Sequence, residues 1–533
     1  MPGSGRRARS AHPRPLRTLI LVLALALVLS ACTRPPVQTR PTPGPTATLP
    51  SALRIGIEPV PSLDPAALEG DDALLVAAQL YDGLVAYDPV SGTVVPAVAE
   101  GWDVLAGGTR FVFHLRETTF HDGSPVRAAD FVAAWTRLVD PTAQRPFAFL
   151  LESVRGFARH RQTFGARPFD GLEAPDDRTL VVELVTPWPD FVAVLTHPAL
   201  SPVPPAVESP GFAVRPVGNG PFRLVEDVVL DGPIRLVASD QALTPPRIAA
   251  LEYLSRDTPE QSWPDFLAGD LDIARIPAEL VDEVDSEAGV QPLARLLYCG
   301  FNAADPRFRE PALREAVSVG IDREALVDEV YGDLAVAADG IVAPSIPSYR
   351  PDLCGARCDH DPDRARSLVE GLRPRARSFA IDVPATGVGE QLATAISAQL
   401  AGVGIQATPR LHDEEAYAQL LREGAQELFC LTAVADYPRA QAVLEPLFAA
   451  GSADNLTGVS DAPLDGLLRR ARAEADPVDR EELYIDAEQR ALEVLALAPI
   501  AWFRSRFAVQ SYVEGFTLDP MGMFDAAALS IRP

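Results

Sequence analysis

The chain has 533 residues and a formal net charge of −26, with 47 % apolar and 23 % charged residues. This length allows two or three domains around a sizeable core, and the composition is typical of a folded rather than a disordered protein. The acidic surface repels phosphate backbones, which argues against a nucleic-acid partner.

The N-terminal segment is typical of an export signal. Several arginines precede the apolar residues 19–29, a stretch of about eleven residues that is too short to span a bilayer as a helix. The motif Leu-Ser-Ala-Cys that ends at Cys32 resembles a bacterial lipobox, whose cysteine carries a lipid. We therefore predict a signal peptide over 1–31 and a protein anchored through Cys32 to the outer face of the cell membrane. The alternative is a plain secretory signal with an incidental cysteine.

A Pro- and Thr-rich segment at 32–50 separates this signal from the folded part. Such a composition cannot form a core and favours an extended spacer, so it predicts a stalk. Apolar alternation then predicts strands over 53–58, 110–116 and 178–185. Helical spacing of apolar residues predicts helices over 73–81 and 128–138.

The second half of the chain alternates strands with helices. Strands are predicted over 296–302 and 428–434, and helices over 311–319, 323–330, 390–400, 463–472 and 480–496. This alternation predicts an α/β fold with irregular insertions and no internal repeat.

The usual signatures of catalysis are missing from the sequence. No G-x-S-x-G or H-E-x-x-H motif occurs, and a phosphate-binding loop would need a lysine, which the chain lacks. The seven histidines form no ligand pair at helical spacing. We expect no enzymatic activity, no cofactor and no metal site.

Four cysteines remain besides Cys32. Cys354 and Cys358 lie in a loop rich in Pro, Asp and Gly, which predicts a local disulfide because a metal site would need further ligands. Cys299 and Cys430 lie in apolar, strand-like runs, where buried thiols and a cross-strand disulfide are both compatible with the pattern.

Several short motifs follow one another along the chain. They are Tyr-Asp-Gly-Leu at 81–84, Pro-Ala-Val-Ala-Glu-Gly-Trp at 96–102, Phe-His-Asp-Gly-Ser-Pro-Val at 120–126, His-Pro-Ala-Leu-Ser-Pro-Val-Pro at 197–204, Gly-Asn-Gly-Pro-Phe at 218–222 and Ala-Asp-Tyr-Pro at 435–438. Their order and spacing, over nearly all of residues 53–525, resemble the peptide- and oligopeptide-binding proteins of ABC importers, the bacterial extracellular solute-binding protein family 5.

The resemblance implies an α/β, two-lobed periplasmic-binding-protein-like fold of type II, with an extra subdomain on lobe I. It implies that lobe I comprises 51–295 and 500–533, with the subdomain at about 76–212, and that lobe II comprises 296–499. Two crossing segments would form a hinge, and ligand would be enclosed as the lobes close.

The resemblance also implies a function. A monomeric, lipid-anchored protein would capture peptides between its lobes and deliver them to a membrane permease driven by cytoplasmic ATPases. Alternatives are another solute held by the same fold, such as a chelated metal, a cell-wall peptide or an oligosaccharide, and a surface receptor that signals rather than feeds a transporter. An exported hydrolase is a more distant alternative.

The resemblance assigns candidate ligand-binding residues. Asp436, beside Tyr437, would bind the α-ammonium group of a peptide, because a charge-assisted bond at a partly desolvated site is strong; its alternative role is a helix or turn cap. Glu69 and Tyr298 would line the cleft. Their alternatives are a solvated loop acid and a core aromatic residue.

Three positions depart from the family pattern. Phe147 stands where oligopeptide binders often carry tyrosine, so one hydroxyl contact is lost. Ala433 stands where many relatives carry tryptophan, and this change would enlarge a pocket or alter the ligand class. Arg275 lies where some relatives have amides and is a candidate for meeting a carboxylate.

The resemblance bears on two of the cysteines as well. The strands that end near Asn302 and Asp436 would both approach the hinge. As antiparallel neighbours they would bring Cys299 and Cys430 close enough to form a disulfide.

Overall fold

The computed structural model describes residues 52–143, 145–162, 170–208, 211–229, 232–278, 280 and 289–532. The predicted signal peptide at 1–31, the predicted lipid site Cys32 and the predicted stalk at 32–50 lie outside the described residues. Within this part of the chain, two sheets of six strands and one sheet of four strands carry the fold, together with two two-stranded ribbons.

The first half of the described chain is rich in strands. These are β1 (Leu53–Ile57), β2 (Val85–Asp88), β3 (Thr93–Pro96), β4 (Ala99–Leu105), β5 (Arg110–Leu115), β6 (Leu172–Asp176), β7 (Thr179–Glu183), β8 (Phe222–Leu224), β9 (Ile234–Ala238), β10 (Ala250–Ser255) and β11 (Ile273–Arg275). The helices are α1 (Asp71–Leu80), α2 (Ala128–Leu138), α3 (Phe157–Gln162) and α4 (Pro259–Ala268).

The second half carries most of the helices. Its strands are β12 (Pro292–Phe301), β13 (Ala335–Ala337), β14 (Ser378–Pro384), β15 (Gln406–His412), β16 (Leu428–Val434), β17 (Leu497–Arg504), β18 (Phe507–Val509), β19 (Val513–Glu514) and β20 (Ser530–Ile531). Its helices are α5 (Pro311–Gly320), α6 (Arg323–Val330), α7 (Pro362–Glu370), α8 (Gly387–Gly402), α9 (Glu414–Glu423), α10 (Gln441–Phe448), α11 (Ala462–Ala473) and α12 (Pro477–Val494). The predicted strands and helices are confirmed, with ends that differ by no more than four residues.

Aspartates begin most helices of the second half. The residue before each of α6, α7, α9, α11 and α12 is an aspartate whose side chain accepts a hydrogen bond from a backbone N–H of the first turn. Proline at the start of α7, α11 and α12 is compatible with this role, since the first helical N–H has no partner within the helix.

The first six-stranded sheet has the order β18-β11-β1-β10-β9-β8. β1 lies between β10 and β11 and runs parallel to both, so that Ile55 is in register with Tyr253 on one side and Ile273 on the other. β18 returns from the C-terminal part of the chain and pairs antiparallel with β11. The end of the chain therefore shares a sheet with its beginning.

The four-stranded sheet forms a separate layer within residues 99–183. Its order is β4-β5-β7-β6, and all of its pairings are antiparallel. Phe111 and Phe113 of β5 are fully buried in one apolar core with Trp135 of α2, whose indole N–H donates to the backbone oxygen of Leu200 at 2.9 Å. The strands of this layer lie within the range 76–212 that the resemblance implies for the subdomain.

The second six-stranded sheet has the order β13-β17-β12-β16-β14-β15. β14 pairs parallel with β15 and β16, whereas β12 pairs antiparallel with β16 and β17. One apolar core holds residues of α5, α6, α7 and α8 against the sheet, and another holds residues of α10, α11 and α12. A sheet covered on both faces explains why its strands are apolar almost throughout.

β12 and β17 extend beyond the predicted lobe boundaries at 295/296 and 499/500. Pro292 still pairs with Arg504, so the second sheet includes residues that the sequence assigned to lobe I. Both strands cross these borders because their pairing runs from Gly300 with Leu497 as far as Pro292 with Arg504.

Two disulfides are present among the described cysteines. Cys299 of β12 and Cys430 of β16 lie directly opposite each other in an antiparallel pair, with 4.1 Å between their Cα atoms, and are bonded. Cys354 is bonded to Cys358, four residues further on, and closes a short loop.

Candidate functional site

A cavity of about 520 Å³ lies where lobe I meets the second sheet. The first turns of α1, the start of β12, the residues that follow β16, the end of β17 and the loop at 520–523 surround it. Its wall is mostly apolar, but it also contains six charged side chains: Asp71, Arg275, Arg295, Asp436, Arg504 and Arg506.

Asp436 is the acidic group that the structure leaves without a partner in this cavity. It follows β16 and is half-buried, and within the described residues its carboxylate makes no hydrogen bond or ion pair. Burial, with a smaller effect of the charge on Asp454, raises the pKa of Asp436 to about 6. A desolvated carboxylate is stabilised by a cationic partner, so the site favours a ligand that supplies one.

Two of the cavity arginines are held by neighbouring acids of α1. Arg275 donates from Nη1 and Nη2 to the two oxygens of Asp72, at 2.6 Å each, and its guanidinium lies 5.4 Å from the ring centroid of Phe507. Arg295 of β12 forms an ion pair with Asp71. Because Asp72 accepts from both terminal nitrogens and balances the positive charge, Arg275 is less available to a ligand carboxylate than an arginine without such a partner.

Arg504, at the end of β17, is less committed. Its one ion-pair partner among the described residues is Asp333, at 3.9 Å, which is the outer limit of such a contact. A guanidinium has five N–H donors, so Arg504 retains donors that can reach an anion. The cavity thus presents an unpaired carboxylate and a weakly paired guanidinium.

Phe147 and His197 form an aromatic corner of the same cavity. Their ring centroids are 4.2 Å apart, and both residues line the wall. His197 is 5 % exposed, and burial lowers its pKa to about 3. The imidazole is therefore neutral at physiological pH.

Several contacts connect residues 188–190, which fall in the predicted subdomain, to the second half of the chain. Asp190 accepts from Nε of Arg439 at 2.8 Å and lies 3.5 Å from Nη2 of Arg480. The guanidinium of Arg472 lies 4.2 Å from the ring centroid of Trp188. These pairs bring together residues that are distant in the sequence.

Comparison with known proteins assigns the family. Residues 93–455, more than half of the chain, match the model of the bacterial extracellular solute-binding proteins, family 5 Middle. The chain belongs to this family.

Individual relatives agree with this assignment. The solute-binding protein is 29 % identical over 479 residues to the probable deoxycholate-binding periplasmic protein YgiS of Escherichia coli (strain K12), which covers 86 % of this chain and 89 % of that protein. It is 27 % identical over 494 residues to the periplasmic oligopeptide-binding protein OppA of the same organism, with 87 % and 89 % covered. The solved structure of Haemophilus influenzae OppA in complex with RPPGFSPFR matches with a TM-score of 0.70 and 25 % identity, covering 92 % of this chain and all of that one (100 %).

The predicted family and fold class are thereby confirmed, namely an α/β, two-lobed binding protein of type II. The family comprises solute-binding proteins of transporters rather than enzymes. Within the described residues no group of three or more His, Cys, Asp or Glu side chains is placed to hold a metal ion. In the same part of the chain, every helix is too short or too polar to cross a bilayer.

The structure brings together only some of the predicted site residues. Asp436, Phe147 and Arg275 line the cavity. Tyr298 does not, because it is 3 % exposed in the core of the second sheet, with its ring 6.1 Å from Phe429. Its alternative reading as a core residue describes its position.

Tyr437 and Glu69 also lie outside the cavity wall. The ring of Tyr437 packs 6.2 Å from Trp188 and contacts the cores of both halves of the molecule. Glu69 is exposed, although Gly70 beside it lines the cavity.

Sequence reasoning missed His197, Arg295 and Arg504 as cavity residues. His197 opens a motif that carried the resemblance, and this was the available signal for it. Nothing in the local sequence of the two arginines indicates that the ends of β12 and β17 meet at one cavity.

Proposed function

We propose that this protein captures peptides with a free N-terminus in the cavity between its lobes and delivers them to an ABC permease. The observation that carries the proposal is Asp436, a half-buried carboxylate without a partner among the described residues, which lines the cavity. A peptide α-ammonium group would supply the missing charge. A relative named for oligopeptide binding agrees with this ligand class.

Arg504 gives the proposal a second anchor. Its weak pairing with Asp333 leaves donors for an anionic group, and a peptide carries a carboxylate at its other end. Apolar side chains form most of the wall between the charged groups, so they would contact peptide side chains without fixing their identity.

The decisive experiment is a double-mutant cycle that removes the carboxylate of Asp436 and the positive charge at the N-terminus of the peptide, separately and together. An equimolar library of synthetic di- to pentapeptides is screened by native mass spectrometry, and Kd is then measured by calorimetry for the tightest peptide and its N-acetylated form. We expect Asp436→Ala to weaken the free peptide by about 2–5 kcal/mol, at least about 30-fold in Kd, because a buried charge pair is broken. The N-acetylated peptide should bind weakly to both proteins and should not distinguish them.

Asp454→Asn is the matched control. Asp454 acts on the pKa of Asp436 but does not line the cavity, so this variant should retain affinity within a few-fold. The proposal is wrong if no peptide of the library binds at high micromolar concentration, or if Asp436→Ala leaves the affinity for the free peptide unchanged.

The membrane anchor and the lobe division are part of the same proposal. We propose that Cys32 is lipidated and that residues 32–50 act as a stalk. We also propose that residues 296–499 form lobe II. Cys32→Ser should move the protein from the detergent phase to the aqueous phase in a Triton X-114 partition. A wild-type protein that partitions into water would contradict the anchor.

A second candidate ligand is an amphipathic anion such as a bile salt. Four arginines and two acids line the mostly apolar cavity, and one relative is named as a probable deoxycholate-binding protein. Calorimetry with deoxycholate separates the two candidates. Binding of deoxycholate that is lost in Arg504→Gln but not in Asp436→Ala would favour the anion over the peptide.

A further inference from the structure

One buried side chain of the cavity has a polar atom that the fold leaves unused. His197 follows the 3₁₀ turn Phe191–Thr196 and is 5 % exposed, yet it contributes to the cavity wall. A neutral imidazole has one donor and one acceptor nitrogen, and leaving either one buried without a partner is unfavourable.

The backbone determines the role of Nδ1. The N–H of Ala199 donates to Nδ1, with 3.1 Å between the two nitrogens, and His197 thereby caps the short turn Pro198–Leu200. Because Nδ1 accepts, the imidazole proton lies on Nε2. His197 therefore presents an N–H donor on the side of the ring opposite its backbone contact.

Nε2 has no hydrogen-bond partner among the described residues. It is also not completely enclosed by protein atoms. It is therefore open to the cavity that His197 lines. The neighbouring ring of Phe147 carries no hydroxyl that could accept from it. A ligand that displaces water from this corner must place an acceptor here, because the N–H would otherwise be left without a hydrogen bond.

We infer that His197 is a ligand-binding residue whose Nε2–H donates a hydrogen bond to a backbone carbonyl oxygen of the bound peptide. The inference rests on the proposed function. It adds a residue that determines how the backbone of the peptide is positioned along the cavity. Asp436 would select the charged end of the peptide, whereas His197 would require a carbonyl, not an N–H, at the corner formed with Phe147. Two facing N–H groups would leave both donors unpaired.

Two variants separate the donor from the cap. His197→Asn keeps an oxygen that can cap the turn at 198–200 but does not reach the position of Nε2. His197→Gln carries an amide N–H that reaches this position but does not restore the cap. We expect the Asn variant to raise Kd roughly 3- to 10-fold, and the Gln variant to stay within about 3-fold. The stability order is expected to be reversed, with a lower urea midpoint for Gln than for Asn.

The probe is the tightest synthetic peptide of the library defined above, together with analogues in which each backbone carbonyl is in turn reduced to methylene. One analogue should bind the wild-type protein more weakly than the parent peptide does. In His197→Asn, this analogue and the parent peptide should bind with equal affinity. Wild-type affinity in the Asn variant, with weakened binding in the Gln variant, would show that His197 acts only as a cap and would overturn the inference.

The failure of this inference is distinguishable from the failure of the proposed function. ¹⁵N-imidazole spectra of the empty wild-type protein, assigned with His197→Asn, report the tautomer without any peptide. We expect the proton on Nε2. A proton on Nδ1 would overturn the inference even if peptides bind, whereas a library without any binder would overturn the proposed function.

Discussion

At the scale of single residues, the ionised carboxylate of Asp436 lowers the stability of the empty protein, although the same charge would attract the ammonium group of a ligand. The pKa of its carboxyl is raised from 3.8 to about 6, chiefly by burial. A raised pKa means that the folded state binds a proton more readily than the unfolded state. The free energy of unfolding therefore falls as the pH rises from about 4 to about 6, and the cost of ionisation is complete above that window.

Asp436→Asn should therefore stabilise the empty protein at pH 7.5, because the amide has no charge to desolvate. We expect a gain on the order of 1–3 kcal/mol in the free energy of unfolding, and no gain at pH 4, where the wild-type carboxyl is protonated. Urea unfolding at both pH values measures it. Asp328→Asn, on an exposed acid of α6 without a partner among the described residues, is the control, and a gain of equal size at both pH values would contradict the assignment.

The same scale shows what a sequence can say about a site. Asp436 could be named in advance because a short motif surrounds it and it follows an apolar strand. The donor role of His197 could not, since it depends on a backbone N–H two residues away and on the burial of the ring against Phe147. For Tyr298 the sequence left a cleft role and a core role open, because the resemblance identified its strand but not the face on which its side chain lies; the structure places it in the core.

At the scale of elements, β12 and β16 are held by two independent means. They pair antiparallel over seven residues, from Arg295 with Val434 to Phe301 with Leu428, and the Cys299–Cys430 disulfide joins them within the ladder. This bond closes a loop of 131 residues, whereas Cys354–Cys358 spans four. A cross-link that closes a longer loop removes more entropy from the unfolded chain.

Replacing Cys299 and Cys430 by alanine should cost more stability than replacing Cys354 and Cys358. In the chain-entropy description the losses are about 5 kcal/mol and about 2 kcal/mol. Urea unfolding of the two double variants, without reductant, gives the comparison. Equal losses would show that loop length does not govern the contribution of these bonds.

Elements were more predictable than their connections. The Gly-Asn-Gly motif at 218–220 was recognisable, and the structure shows its physical basis. A Cβ at Gly220 would lie 2.6 Å from the carbonyl carbon of Leu80, and Asn219 exchanges hydrogen bonds with the backbone of Asp82. The extension of β12 and β17 past their apolar stretches is not encoded locally, because it depends on pairing between residues about two hundred positions apart.

At the scale of the whole molecule, Asp190 joins the first half of the described chain to the second. Its side chain is 11 % exposed and lies against Arg439 and Arg480, which belong to the opposite half of the chain. Removing one partner of a nearly buried ion pair leaves the other charges without compensation. In the proposed lobe division these residues lie on different lobes, so separation of the lobes would break the ion pairs, and the pairs oppose opening.

Asp190→Asn should shift the protein towards an open arrangement. We expect a larger radius of gyration in small-angle X-ray scattering and a Kd for the peptide that rises roughly 3- to 10-fold, mainly through faster dissociation. Stopped-flow displacement measures the dissociation rate. Asp328→Asn serves again as the exposed control, and an unchanged rate with an unchanged radius would exclude a role of Asp190 in closure.

The two consecutive acids at the start of α1 carry different constraints on divergence. Asp72 is buried, accepts from the backbone of Glu58 and holds Arg275 within lobe I, whereas Asp71 is exposed and meets Arg295 of the second sheet. A substitution of Asp71 removes an exposed ion pair to the second sheet, and such pairs contribute little to stability. A substitution of Asp72 leaves the guanidinium of Arg275 without its bidentate partner. Of these two neighbouring acids, Asp72 is therefore expected to tolerate substitution less well than Asp71.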